Sequence, residues 1–150
     1  MDEIKLETTI QNFISIIPLF KKKLLHDNCK FNKGNLNHSH FQILAVLKKE
    51  GKLPISEVGK KLVISTPNMT KLLTKLIDEN MVERIPEEKD RRIININLTD
   101  KGHEYLDSQF TQIKSALKDK FSSLPSDKLD KFNDSLITLK EVLNEISSDI

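Results

Sequence analysis

Apolar residues recur at helical spacing through the start of the chain, at Ile10, Phe13, Ile14, Ile17, Phe20 and Leu24. They predict a helix over about residues 5–27, kinked at Pro18. The polar stretch Asn28 to Asn37, with Gly34 inside it, reads as a loop. Ser39 is the expected cap of a second helix that runs to about Glu50 and turns Phe41, Ile43, Leu44, Val46 and Leu47 inward. Two shorter helices follow. Ile55, Val58 and Leu62 mark the first, and Val63-Ile64 makes a turn. The second opens at Ser65 or Thr66 with Pro67 in its first turn, buries Met69, Leu72, Leu73 and Leu76, and ends at Asn80 in a left-handed cap. The pattern then switches period. Val82 to Pro86 predicts one strand, and Ile94 to Leu98, apolar and polar in alternation, predicts another. Thr99 is the expected cap of a long helix with Leu106, Phe110, Ile113, Leu117 and Phe121 along one side. Ser126 opens a last helix in which Leu129, Phe132, Leu136, Leu139, Leu143 and Ile146 recur at alternating spacings of three and four. Such a seam needs a partner, and apolar stripes at both chain ends suggest a shared dimer bundle.

Two adjacent short helices followed at once by a hairpin form a winged helix-turn-helix. The expected fold is therefore mainly α with a small β-hairpin wing. Helices of about residues 5–35 and 100–150 form the dimer bundle, and about residues 36–99 form the winged part of a single domain spanning 1–150. The second helix of the pair has a face made of Ser65, Thr66, Asn68, Thr70, Lys71, Thr74 and Lys75, with no acid before Asp78. Short polar and basic side chains on one face, backed by an apolar stripe, suit a helix that enters the major groove. Asn68 and Lys71 are expected at base edges and Lys75 at a phosphate. The hairpin tip, Glu87-Glu88-Lys89-Asp90-Arg91-Arg92, offers Arg91 and Arg92 to phosphates or to an adjacent minor groove. Gly59 stands where the two helices must approach closely.

Charge sharpens this reading only locally. The net charge of +2 announces no partner, but residues 51–76 hold five lysines against Glu57 alone, a local footprint for an anionic ligand. The single cysteine, Cys29, excludes an internal disulfide and fits a reducing, cytoplasmic setting. No apolar run approaches the roughly 20 residues of a membrane span, and the N-terminus has no signal-peptide pattern. No nucleophile motif or phosphate-cradling glycine loop is visible, so no catalytic residue, cofactor or enzymatic activity is expected.

Several segments resemble the MarR (multiple antibiotic resistance regulator) family: Ile55-Ser56-Glu57-Val58-Gly59, Ser65 through Leu76, and Asn80-Met81-Val82-Glu83-Arg84. The strongest is Asp90-Arg91-Arg92 followed by Leu98-Thr99-Asp100-Lys101-Gly102. The order of elements is similar to the family's over about residues 5–148, with Asn80 and Gly59 in place of its usual Gly and Ala. The resemblance implies a DNA-binding regulator of transcription, expected as a repressor. It implies a homodimer whose winged domains straddle a palindromic operator on double-stranded DNA, with release by a small-molecule effector for which no binding residue can be named. It also implies that Asp90 orients Arg92 towards the minor groove, while Arg91 is more variable. Two alternatives stay open. One is a metal- or redox-responsive regulator using Cys29, His38 and His40. The other is a winged-helix protein-interaction module without DNA binding.

Overall fold

In a computed structural model, residues 2–25 and 36–146 are described. The elements are α1 (Glu3–Phe20), α2 (His38–Glu50), β1 (Leu53–Pro54), α3 (Ile55–Leu62), α4 (Thr66–Asp78), β2 (Val82–Pro86), β3 (Ile94–Leu98), α5 (Asp100–Phe121) and α6 (Ser126–Glu145). The mainly helical fold with a small antiparallel sheet is the one expected from the sequence. The chain divides into two compact units, residues 1–113 and 114–150.

The core of the first unit is built from α2, α3, α4, the sheet and the start of α5. Ile43, Leu44 and Leu47 of α2, Val58 of α3, and Met69, Leu73 and Leu76 of α4 are buried together with Ile96, Leu98 and Leu106. Leu72 is only half-buried at the edge of this cluster. β1, which has no counterpart among the expected strands, pairs antiparallel with β3. β3 thus lies between β1 and β2. Pro54 is tolerated because β1 is an edge strand, where a missing N–H breaks no ladder.

Helix α2 is capped by Asn37 rather than by Ser39. The Asn37 side chain accepts from the His40 N–H at 3.2 Å, while the Asn37 N–H donates to His40 Nδ1 at 2.9 Å. This is a capping box in which a neutral imidazole takes the place usually held by Glu or Gln. Thr99 caps α5 as expected. Its hydroxyl accepts from the Gly102 N–H at 3.0 Å and donates to the Asn80 carbonyl at 2.5 Å, and the Thr99 N–H donates to the Met81 carbonyl at 3.1 Å. That junction brings α5 so close to the end of α4 that a Cβ on Gly102 would lie 2.1 Å from the Met81 carbonyl oxygen. At Gly59 an added Cβ would meet Ile64 O and the Met69 side chain at 3.3 Å, so a methyl there needs only a small shift.

Helix α1 continues through Pro18 to Phe20 and then widens into a π-helical turn over Lys21–Leu25. The departure from α geometry thus falls three residues beyond the expected kink. None of the residues of α1 is buried, although Ile10, Phe13, Ile17 and Phe20 share a stripe. In the second unit, Phe121 and Phe132 meet edge to face with ring centroids 5.4 Å apart. Helix α6 likewise buries no residue, and Leu129, Leu136, Leu139, Leu143 and Ile146 are exposed along it.

Candidate nucleic-acid interface

Helix α4 is fixed from behind. Met69, Leu73 and Leu76, spaced four and three apart, are buried and leave the opposite face to solvent. Ser65 occupies the N-cap position in extended conformation without a side-chain hydrogen bond to the helix, and Pro67 lies in the first turn. Ser65, Thr66, Asn68, Thr70, Lys71 and Thr74 are all exposed, so the helix gathers them on its open side. The side chains differ in how much they have left to offer. Thr70 and Thr74 donate their hydroxyls back to the carbonyls of Thr66 and Thr70 at 3.1 and 2.8 Å, which leaves their oxygens as acceptors and their methyls outermost. Lys75 is half-buried and paired with Glu79, Nζ to Oε1 at 3.3 Å. Its charge also acts on His40, so it stands apart from the open face.

The wing is the β2–β3 hairpin, in register from Val82↔Leu98 to Pro86↔Ile94. At its tip the Glu87 N–H donates to the Ile93 carbonyl and the Ile93 N–H to the Asp90 carbonyl, both at 3.0 Å. Asp90 grips Arg92 three times. Its Oδ1 accepts from the Arg92 backbone N–H at 3.0 Å and from Nε at 3.1 Å, and its Oδ2 accepts from an Nη at 3.2 Å. The guanidinium, and then the backbone N–H, hold the Asp90 carboxyl below its usual pKa, so it stays ionised. The Arg92 side chain nonetheless remains 91% exposed. A fork clamped on one edge and open on the other is a pre-ordered cation. Arg91 is exposed at the same tip.

The root of the wing holds a feature that the alternation in β3 does not announce. Asn95, on the polar phase of the strand, is buried and donates its amide to Glu87 Oε2 at 2.8 Å. This ties the first residue of the tip to the central strand.

Of the residues considered for metal or redox sensing, His38 and His40 lie among those described. His40 is buried and spends Nδ1 on the capping box. Burial first, and then the charge of Lys75, push its pKa below 6.5. Cys29 lies outside the described residues, and among those described no group of three His, Cys, Asp or Glu side chains is placed to hold a metal ion. No described helix is long and apolar enough to cross a membrane.

The model of the family described as "MarR family" matches residues 36–94, which run from the cap of α2 through the start of β3. Over those residues the chain is similar to the MarR family. Members of that family are transcriptional regulators rather than enzymes. Among relatives, the HTH-type transcriptional regulator YkoM of Bacillus subtilis (strain 168) is 29% identical over 112 residues, 75% of this chain and 73% of YkoM. The HTH-type transcriptional repressor MdtR of the same organism is 29% identical over 105 residues, 70% of this chain and 65% of MdtR. A crystal structure of Streptococcus pneumoniae FabT in complex with DNA shares the fold, with a TM-score of 0.70 and 18% identity over 94% of this chain and 99% of FabT.

Proposed function

We propose that this chain is a MarR-family regulator, a cytoplasmic, homodimeric repressor that binds a palindromic operator through α4 and the wing. The observation that carries the DNA-binding reading is Arg92, a cation fixed by Asp90 through both backbone and side chain and yet open to solvent. An arginine ordered in advance loses less side-chain entropy on binding. A narrow A·T-rich minor groove, with its enhanced negative potential, attracts such a cation. On α4, Asn68 and Lys71 make no hydrogen bond or ion pair among the described residues and are exposed. They are the side chains best placed to read base edges, with Ser65, Thr66, Thr70 and Thr74 around them. Lys75 must release Glu79 to reach a phosphate, and Arg91 adds a second cation at the tip.

The homodimer is supported by the exposed stripes of α1 and α6, which form the bundle in this reading while residues 36–99 form the winged part. Isologous pairing of two such chains matches a palindromic site. The name of MdtR and the DNA in the FabT structure agree with a repressor acting on DNA. Release by a small-molecule effector follows from the family resemblance and not from any residue.

Selection of duplexes from a random library, followed by titration at several salt concentrations, tests the reading. The parent chain is expected to select a palindrome. Arg92→Ala should weaken binding to it by at least about tenfold and reduce the slope of log K against log salt by about 2, one cation being lost from each half-site. Asp90→Ala should weaken it less and keep the slope, since no cation is lost. Binding by Arg92→Ala as tight as the parent's at every salt concentration would leave the wing structural and confine recognition to α4.

A further inference from the structure

The two helices of the pair end in the same way. After α3, the Val63 N–H donates to the Lys60 carbonyl at 3.2 Å and the Ile64 N–H to the Gly59 carbonyl at 2.9 Å. After α4, the Asn80 N–H donates to the Ile77 carbonyl at 2.9 Å and the Met81 N–H to the Leu76 carbonyl at 2.8 Å. Each pair of bonds is a Schellman closure and requires one residue in the left-handed region, Val63 at φ 54° and Asn80 at φ 58°. Asparagine visits that region readily. A β-branched valine there is an outlier whose Cβ crowds its own carbonyl.

A strained valine is ordinarily held by burial of its methyls. Val63 is 93% exposed, and its neighbour Ile64 supplies the contact with the core. The two closing hydrogen bonds and the packing of Ile64 hold the conformation while leaving the Val63 methyls in solvent, and backbone strain of this kind gathers at functional sites. The position agrees. Val63 lies two residues before the N-cap of α4, at the end of a reading helix whose first residues contact base edges. Its side chain presents two methyl groups and no polar atom. The matching apolar group on the floor of the major groove is the 5-methyl of thymine.

We infer that Val63 is a specificity residue, with its methyls packed against a thymine 5-methyl at the edge of the site read by α4. The inference rests on α4 being the DNA-reading helix. Contact with the methyl adds selection for an A·T pair beside the bases read by Asn68 and Lys71. The backbone strain is what holds the valine outward, where a glycine would leave a gap.

Each thymine of the duplex selected by the parent chain is replaced singly by deoxyuridine, which deletes only the methyl. Replacement at one thymine per half-site should weaken the parent's binding about fourfold, the worth of burying one methyl group. Val63→Gly, relieved of strain, should melt a few degrees higher than the parent and lose that response. Val63→Ile should keep it. Val63→Gly with the parent's affinity and the parent's full response to deoxyuridine would overturn the assignment of Val63 and leave the DNA-binding reading standing. A parent chain that selects no duplex at all would overturn both.

Discussion

Helices α4 and α6 each carry an apolar stripe at helical spacing and a polar remainder, yet their surroundings differ. In α4 the stripe is closed off by α2, α3 and the sheet, and Leu76 is 0% exposed. In α6 no residue is buried, and Leu143 is 52% exposed. Periodicity identifies the face a helix must hide, but not where its cover comes from. For α4 the cover is the rest of the first unit, so its polar face is left free to work. For α6, as for α1, the cover is assigned here to a second copy of the chain. In the proposed dimer, one stripe makes a fold and the other an assembly.

Paired substitutions separate the two roles. A carboxylate in a dimer interface is a buried charge without a partner, which costs about 3–5 kcal/mol. Leu143→Asp should therefore shift the protein to monomer in sedimentation equilibrium while the helix-turn-helix stays folded. A fully dimeric Leu143→Asp would place the interface elsewhere. Leu76→Ala should cost about 2–5 kcal/mol in urea unfolding, at the same value for dilute and concentrated protein once dimerisation is accounted for. If its effect instead rose and fell with protein concentration, the contrast between the two helices would collapse.

A smaller effect is expected where α4 meets α5. Gly102→Ala drives a methyl group into the Met81 carbonyl, and overpacking of this kind costs about 1–3 kcal/mol. The loss should be visible as a lower urea midpoint without change in oligomeric state. Gly59→Ala, at its 3.3 Å contacts, is the matched control and should change stability little.

The smallest effect is one of pH. His40 holds its capping box only while neutral, and its folded pKa is depressed below 6.5 by burial and then by Lys75. An unfolded chain takes the proton near 6.5, and the folded chain only at lower pH. The stabilisation is thus complete above about pH 6.5 and is lost as pH falls from there towards the folded value. Between pH 7 and 5 the parent should lose stability more steeply than His40→Gln, which keeps a capping side chain but does not titrate. Equal slopes would assign the acid loss to other groups.

Much of this was legible in the residues. The pairing of Asp90 with Arg92 follows from their spacing in a hairpin tip, and the Asn80 cap from the tolerance of asparagine for positive φ. Thr99 could be read as a cap because a helical pattern begins just after a strand. What escaped has physical reasons. A two-residue strand such as Leu53–Pro54 is too short to show alternation, and its proline argues against it. The Asn37–His40 box hides because histidine is a rare partner there and Ser39 lies nearer the first apolar residue. Asn95 sits on the polar phase of β3, and only the arrival of β1 and the Glu87 carboxylate makes that phase an interior one. The Lys75–Glu79 pair has the four-residue spacing of a helical ion pair, but Lys75 also continues the cationic face of α4, so spacing alone does not choose between the two. The turn at Val63-Ile64 could be read, but not the left-handed backbone of Val63, since a β-branched side chain argues against it.

Because β3 is the middle strand, the sheet also works as a ruler. One edge of it is laid along β1, which leads directly into α3, and the other along β2, which carries the tip. Five paired residues set the arm at about 17 Å. Its graduations are side chains, with Ile96 and Leu98 turned to the core and Glu87 pinned by Asn95 at the far mark. A slip by one residue would take Ile96 out of the apolar core and part Asn95 from Glu87, so the scale cannot creep. The distance from the first turn of α4 to Arg92 is therefore a property of the fold rather than of the DNA. If α4 and Arg92 enter adjacent grooves as proposed, a duplex that does not fit that gauge must itself be bent to the measure.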